Sequence, residues 1–102
     1  MILSESDLIA TITRDRAAGK RIAFAAASFD LLKAADMRVL QAAAAKADRL
    51  VVAVVDGAPG HVIAAADRAE IVDSLRGVDY VIVCGVGGIE PLAALLMPDV
   101  RA

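Results

Sequence analysis

A single cysteine, Cys84, stands among the 102 residues, so neither an internal disulfide nor a thiolate-built metal cluster is available. Histidine is equally scarce. His61 follows a Pro-Gly turn with no second histidine or cysteine near it, so it reads as a loop residue and no metal site is expected. Aromatic residues make up 3% of the chain and tryptophan is missing, which leaves the core to Ala, Val, Leu and Ile. An excess of basic residues is also lacking: 11 Lys and Arg face 13 Asp and Glu, for a net charge of −2. Without a basic stripe to neutralise phosphates, nucleic-acid binding is not expected. No apolar run approaches the roughly 18 residues of a membrane span, and Met1–Asp7 lacks the basic and apolar regions of a signal peptide. The expectation is a reduced, cytoplasmic protein that does not enter a membrane.

What is present is 59% hydrophobic and alternates in period. A length of 102 residues fits one small domain, 1–102. Ser4 and Asp7 mark a helix start, followed by Leu8, Ile9, Ile12 and Ala17 near the helical period, with Arg14, Asp15 and Arg16 read as facing water and Gly19 closing the helix. Ile22–Ala26 reads as a short strand buried on both faces, and 34–46 as a helix with Met37, Leu40 and Ala44 on one side. Arg49–Val55 is a β-branched strand ended by the turn cluster 56–60. A helix over 65–76, a strand over 80–84, a glycine loop over 85–88 and a helix with Pro91 in its first turn complete the order α-β-α-β-α-β-α. Such alternation gives right-handed βαβ units: a Rossmann-like three-layer α/β/α fold with a short parallel sheet of three to four strands. Ligands of such sheets sit at the carboxyl ends of the strands, which directs attention to segments 26–36, 55–61 and 84–90.

The first of these carries a likeness. Gly19 to Asp36, with the frame Phe29-Asp30-Leu31-Leu32, resembles the signature of cytidylyltransferase-like nucleotidyltransferases, closest to the heptose-phosphate adenylyltransferase and glycerol-phosphate cytidylyltransferase type. There a strand leads into Gly-Cys-Phe-Asp-Leu-Leu-His-Ala-Gly-His. Ala47–Val54, Asp67–Val72, Val78–Val81 and Met97–Val100 are similar to the same family's later strands and helix in the same order.

The resemblance implies a site and also its alteration. The family's two histidines donate to nucleotide phosphates; here the positions hold Lys33 and Asp36, and the intervening glycine is Ala35. The Gly-Cys ahead of Phe29 is Ala27-Ser28. An ionised Asp36 only accepts hydrogen bonds and repels a triphosphate, and loss of one preorganised donor alone costs about 10²–10³ in rate. The basic, glycine-rich loop before Asp67 and the later Ser-Ser/Thr-Thr-x-x-Arg motif are not found, so the expectation is a nucleotidyltransferase-like domain without the usual C-terminal part. No catalytic residue is assigned beyond the degenerate pair Lys33 and Asp36. Ligand-binding candidates are Ala27, Ser28, Phe29, Asp30, Lys33, Arg68, Gly85, Gly87 and Gly88, with Mg²⁺ expected only alongside a bound nucleotide.

Plainer readings stand beside these. Asp30, Lys33 and Asp36 suit the start of a helix, where acidic side chains complement the dipole. Gly85–Gly88 is explained by turn geometry as well as by phosphate binding. Arg68 serves either a ligand or a surface network with Asp67 and Glu70, and Cys84 fits a small core residue. The functional expectation is an inactive domain working through self-association or a protein partner; the alternative is a domain that binds a nucleotide or sugar phosphate, with residual or altered transfer activity.

Overall fold

A computed structural model describes residues 1–29, 33–57 and 63–102. The segment Ser4–Ala17 begins as its sequence requires: Ser4 Oγ accepts the Asp7 N–H at 3.3 Å and caps α1 (Glu5–Ala17). Then follow β1 (Ile22–Ala27), α2 (Ala34–Ala45), β2 (Arg49–Asp56), α3 (Ala65–Asp73), β3 (Tyr80–Gly85), a 3₁₀ turn at Val86–Gly88, α4 (Ile89–Leu96) and β4 (Val100–Arg101). The helix expected over 65–76 stops at Asp73, where Ser74 Oγ turns back on the Ile71 carbonyl at 2.6 Å and offers the backbone an alternative to helix.

The four strands are parallel in the order β3-β2-β1-β4. One layer of helix, α2 and α3, packs Leu40, Ala43, Ala69 and Val72 on Ala23, Ala25, Leu50, Val52 and Val54. The other, α1 and α4, packs Leu8, Ile12, Leu92 and Leu96 on Ile22, Phe24, Val51, Ala53 and Ile82. Alternate residues of β1 and β2 thus enter opposite cores, as the period of two demands, and the continuous apolar runs seen in the sequence are strands buried on both faces. The expected three-layer parallel fold is the one observed.

Two polar features depart from the expected pattern. Asp15 does not face water: α1 buries Leu8, Ile12 and Asp15 along one stripe, and Asp15 Oδ2 accepts the Tyr80 hydroxyl at 2.5 Å with Arg49 Nε at 3.7 Å. The part-buried hydroxyl serves the carboxylate as a donor; burial first, then this bond, raises the Tyr80 pKa. Arg16 is likewise half-buried, donating to the Leu96 carbonyl at 2.6 Å and to that of Met97, the left-handed residue that ends α4.

The second feature is a repeated strand entry. Asp48, Asp79 and Asp99 each stand immediately before a strand. Their carboxylates accept the N–H of Arg21, Leu50 and Ile22 respectively, each at 2.8 Å. These amides start or precede the neighbouring strand, where the ladder has not begun to satisfy them. The bond to Ile22, aided by Arg16 and Arg21, holds the Asp99 carboxyl below its usual range.

Candidate functional site

The chain runs β1 to β2 to β3 in one direction across the sheet, then returns through α4 to place β4 on the far side of β1. Strand order therefore reverses between β1 and β4, and the carboxyl ends at that point splay apart into a crevice. The crevice of about 140 Å³ is lined by Ala25, Ala26, Ala27, Phe29, Asp36, Val39, Leu40 and Ala102. That is below the 300–1,000 Å³ typical of ligand pockets, and its walls are alanine, aliphatic and phenyl surface with one carboxylate.

Of the sequence candidates, the crevice gathers Ala27, Phe29 and Asp36. Phe29 is buried and takes a left-handed backbone, φ 54°, a conformation unfavourable for a residue with a Cβ. Asp36 is the N3 residue of α2, and its Oδ2 accepts the Lys33 N–H at 3.0 Å. That bond satisfies a helix-start donor and places the carboxylate near the positive end of the dipole. Lys33 occupies the N-cap and is exposed. Asp30 and His61 lie outside the described residues.

Arg68 is the largest fully buried side chain. From α3 it reaches under the carboxyl ends of β1 and β2, donating through Nε to the Ile63 carbonyl at 2.9 Å and through Nη1 to Val55 O at 2.9 Å and to Ser28 O. Asp56 Oδ1 stands 4.0 Å from Nη2. The network with Asp67 and Glu70 considered from sequence is replaced by this carbonyl clamp, because the guanidinium presents five donors in a rigid fork. Ser28 enters it through its main-chain oxygen. Sequence reasoning missed the clamp, since its acceptors are carbonyls that no side-chain pattern announces.

Gly85, Gly87 and Gly88 are elsewhere. Gly85 ends β3 and the other two follow it, two strands from β1, roughly 10 Å away at ordinary strand spacing. A Cβ on Gly88 would meet Cys84 Cβ at 3.3 Å, so this glycine lets the turn into α4 approach the strand. Burial pushes the Cys84 thiol pKa up, away from a reactive thiolate. Among the described residues no group of His, Cys, Asp and Glu is arranged to hold a metal ion, and no helix is long and apolar enough to cross a membrane.

No family model matches the chain. It is 36% identical over 107 residues to the bifunctional protein HldE of Ectopseudomonas mendocina, an overlap of 97% of this chain and 23% of that protein. The corresponding figures are 34% over 106 residues, 96% and 22%, for HldE of Halorhodospira halophila, and 33% over 107 residues, 97% and 22%, for HldE of Alcanivorax borkumensis. The chain spans less than a quarter of the length of these curated relatives. In fold it is similar to the crystal structure of the lipopolysaccharide core biosynthesis protein from Thermoplasma volcanium GSS1, with a TM-score of 0.72 and 22% identity over 81% of this chain and 73% of that one.

Proposed function

From the premise that the chain belongs to the cytidylyltransferase-like nucleotidyltransferase superfamily, we propose that it is a domain of that kind which has given up transfer chemistry and acts through association. The observation that carries this reading is Asp36. Its carboxylate lines the strand-end crevice and is fixed there by the Lys33 N–H. A triphosphate brought to that point meets a like charge where the family's motif supplies a donor. The crevice is small and mainly apolar, and the donors recorded for Arg68 go to main-chain carbonyls.

The second reading, a domain binding a nucleotide or sugar phosphate, draws on the position of the crevice at the switch point and on the exposed Lys33 beside it. In that case Mg²⁺ would accompany the nucleotide, and Lys33 would be a point-charge donor to its phosphates.

Thermal unfolding with ATP or CTP and Mg²⁺ separates the two. Ligand at 100 times its Kd stabilises the folded state by about 2.7 kcal/mol, which for a domain of this size raises Tm by roughly 10–20 °C. The inactive reading expects a Tm unchanged to within about 1 °C at millimolar nucleotide, and no heat on calorimetric titration. A clear rise in Tm that Lys33→Ala removes and Asp36→His enlarges would establish the second reading in its place.

A further inference from the structure

The helix layer formed by α1 and α4 is open between its two helices. On α1, Ile9, Ile12, Thr13 and Arg16 recur at helical spacing and share one face. Between that face and the end of α4 runs a groove of about 380 Å³ with apolar walls of Ile9, Ile12, Leu95 and Leu96. It falls within the 300–1,000 Å³ typical of ligand pockets, which the strand-end crevice does not reach. The groove ends at Asp99, just before β4, and so lies toward the amino end of the sheet. It shares no residue with the crevice, and a ligand held there is independent of either reading of the crevice.

The two ends of the groove differ. At one end Leu95 is 57% exposed, and beside it Met97 is 73% exposed. Met97 takes a left-handed backbone, φ 48°, where glycine commonly ends a helix. Such conformations are disfavoured for a residue with a Cβ and collect at binding sites. The same guanidinium that lines the groove holds it: Arg16 Nη2 donates to the Leu96 carbonyl at 2.6 Å and to that of Met97.

At the other end Arg16 Nη1 stands 3.6 Å from Asp99 Oδ2. Neither Nη1 nor Nε makes a hydrogen bond among the described residues. Asp99 Oδ2 accepts the Ile22 N–H at 2.8 Å, and Arg21, itself exposed, acts on the same carboxyl as Arg16 does. Two cations thus stand against one anion, an excess of one positive charge at the end of an apolar groove. Thr13 adds no donor, because its hydroxyl is given to the Ile9 carbonyl at 2.8 Å. An occupant that answers both ends has an apolar chain and a single negative head. From Ile9 to Arg16 the helix rises about 10 Å, which suits a chain of medium length.

We propose that the groove between α1 and α4 binds one medium-length fatty carboxylate, taken up as a free molecule. The chain lies along Ile9, Ile12, Leu95 and Leu96, and the carboxylate accepts from the donors left on Arg16 Nε and Nη1, with Arg21 adding its charge.

Calorimetric titration of decanoate into the full chain, below its micelle concentration, should give one site with a Kd on the order of 0.1–1 mM. Amide chemical shifts should change at Thr13, Arg16 and Leu96 and stay fixed at Ala27 and Asp36. Butyrate keeps the head without the chain, and decyltrimethylammonium keeps the chain with the opposite charge; each should bind at least tenfold more weakly. Leu95→Glu sets a carboxylate at the exposed mouth, and Arg21→Glu reverses the charge at the polar end. Both should stay folded by circular dichroism and weaken decanoate at least tenfold, whereas Ile71→Glu, exposed on α3 in the other layer, should change nothing. No binding of decanoate up to about 10 mM, or shifts at the crevice in place of the groove, overturns the site. Equal binding of decanoate and decyltrimethylammonium overturns the anionic head. Sedimentation of the protein with phosphatidylglycerol vesicles, without binding of decanoate, overturns the free chain in favour of a membrane surface. Should both glutamate variants unfold, the positions of the shifts and the comparison of head groups in the unaltered chain decide.

Discussion

Replacing Arg68 by methionine tests what the carboxyl edge of the sheet depends on. Methionine fills much of the same volume but carries no donor, so the carbonyls of Val55, Ser28 and Ile63 lose the guanidinium that serves them. The contact with Val55 is buried and those with Ser28 and Ile63 are partly so. A buried acceptor left unmet costs about 1–3 kcal/mol, and one that water can reach about 0.5–1.5 kcal/mol. Against this, the variant no longer desolvates a charge whose recorded carboxylate partner, Asp56, stands 4.0 Å away and is largely exposed. The balance is a loss of about 2–4 kcal/mol. Domains of this size have only about 5–15 kcal/mol in total, and the loss corresponds to a fall in Tm of about 10–30 °C. Urea unfolding followed by circular dichroism measures it through the midpoint, with the slope unchanged. Arg68→Lys should recover only part, because one ammonium cannot span three carbonyls. A midpoint change for Arg68→Met worth less than about 0.5 kcal/mol would refute the clamp.

Two more outcomes follow from the polar contacts of β3 and β4. Tyr80→Phe removes the 2.5 Å bond to the buried Asp15 carboxylate and should cost about 1–3 kcal/mol in urea unfolding; an unchanged midpoint would place Asp15 in contact with water after all. Asp99, depressed by the Ile22 N–H, and Glu90, depressed by its bond to Arg101, have folded pKa values below their unfolded ones. Their stabilisation is in full force above the ordinary carboxylate range and is lost as pH falls through the lower, folded values. Tm should therefore drop on acidification below about pH 4, and Asp99→Asn should flatten that drop. A Tm that rises toward low pH would contradict the sign.

Element order and type were legible because each segment carries its own period and punctuation. The β-branched run 49–55 differs from the helix formers of 34–46, and Ser4, Gly19 and Pro91 mark boundaries by chemistry local to each. Asp15 was misread because a helix stripe defined by apolar residues cannot anticipate a carboxylate whose partner, Tyr80, lies 65 residues away. The strand-entry aspartates did leave a signal, an Asp directly before each of β2, β3 and β4, yet its meaning needs the neighbouring strand that supplies the N–H.

For the candidate site the division is similar. The residue types at 27–36, and the consequence of a carboxylate for an anionic ligand, follow from the sequence alone, since charge belongs to the side chain wherever it lies. Which candidates share a site was decided only by the order β3-β2-β1-β4. It sets Ala102, after β4, beside Ala27, Phe29 and Asp36, which adjoin along the chain, leaves Gly85–Gly88 at the far edge, and draws Arg68 beneath the strand ends. Strand order is set by how the two helix layers bury their faces against the sheet, a cooperative property that no local pattern of residues contains.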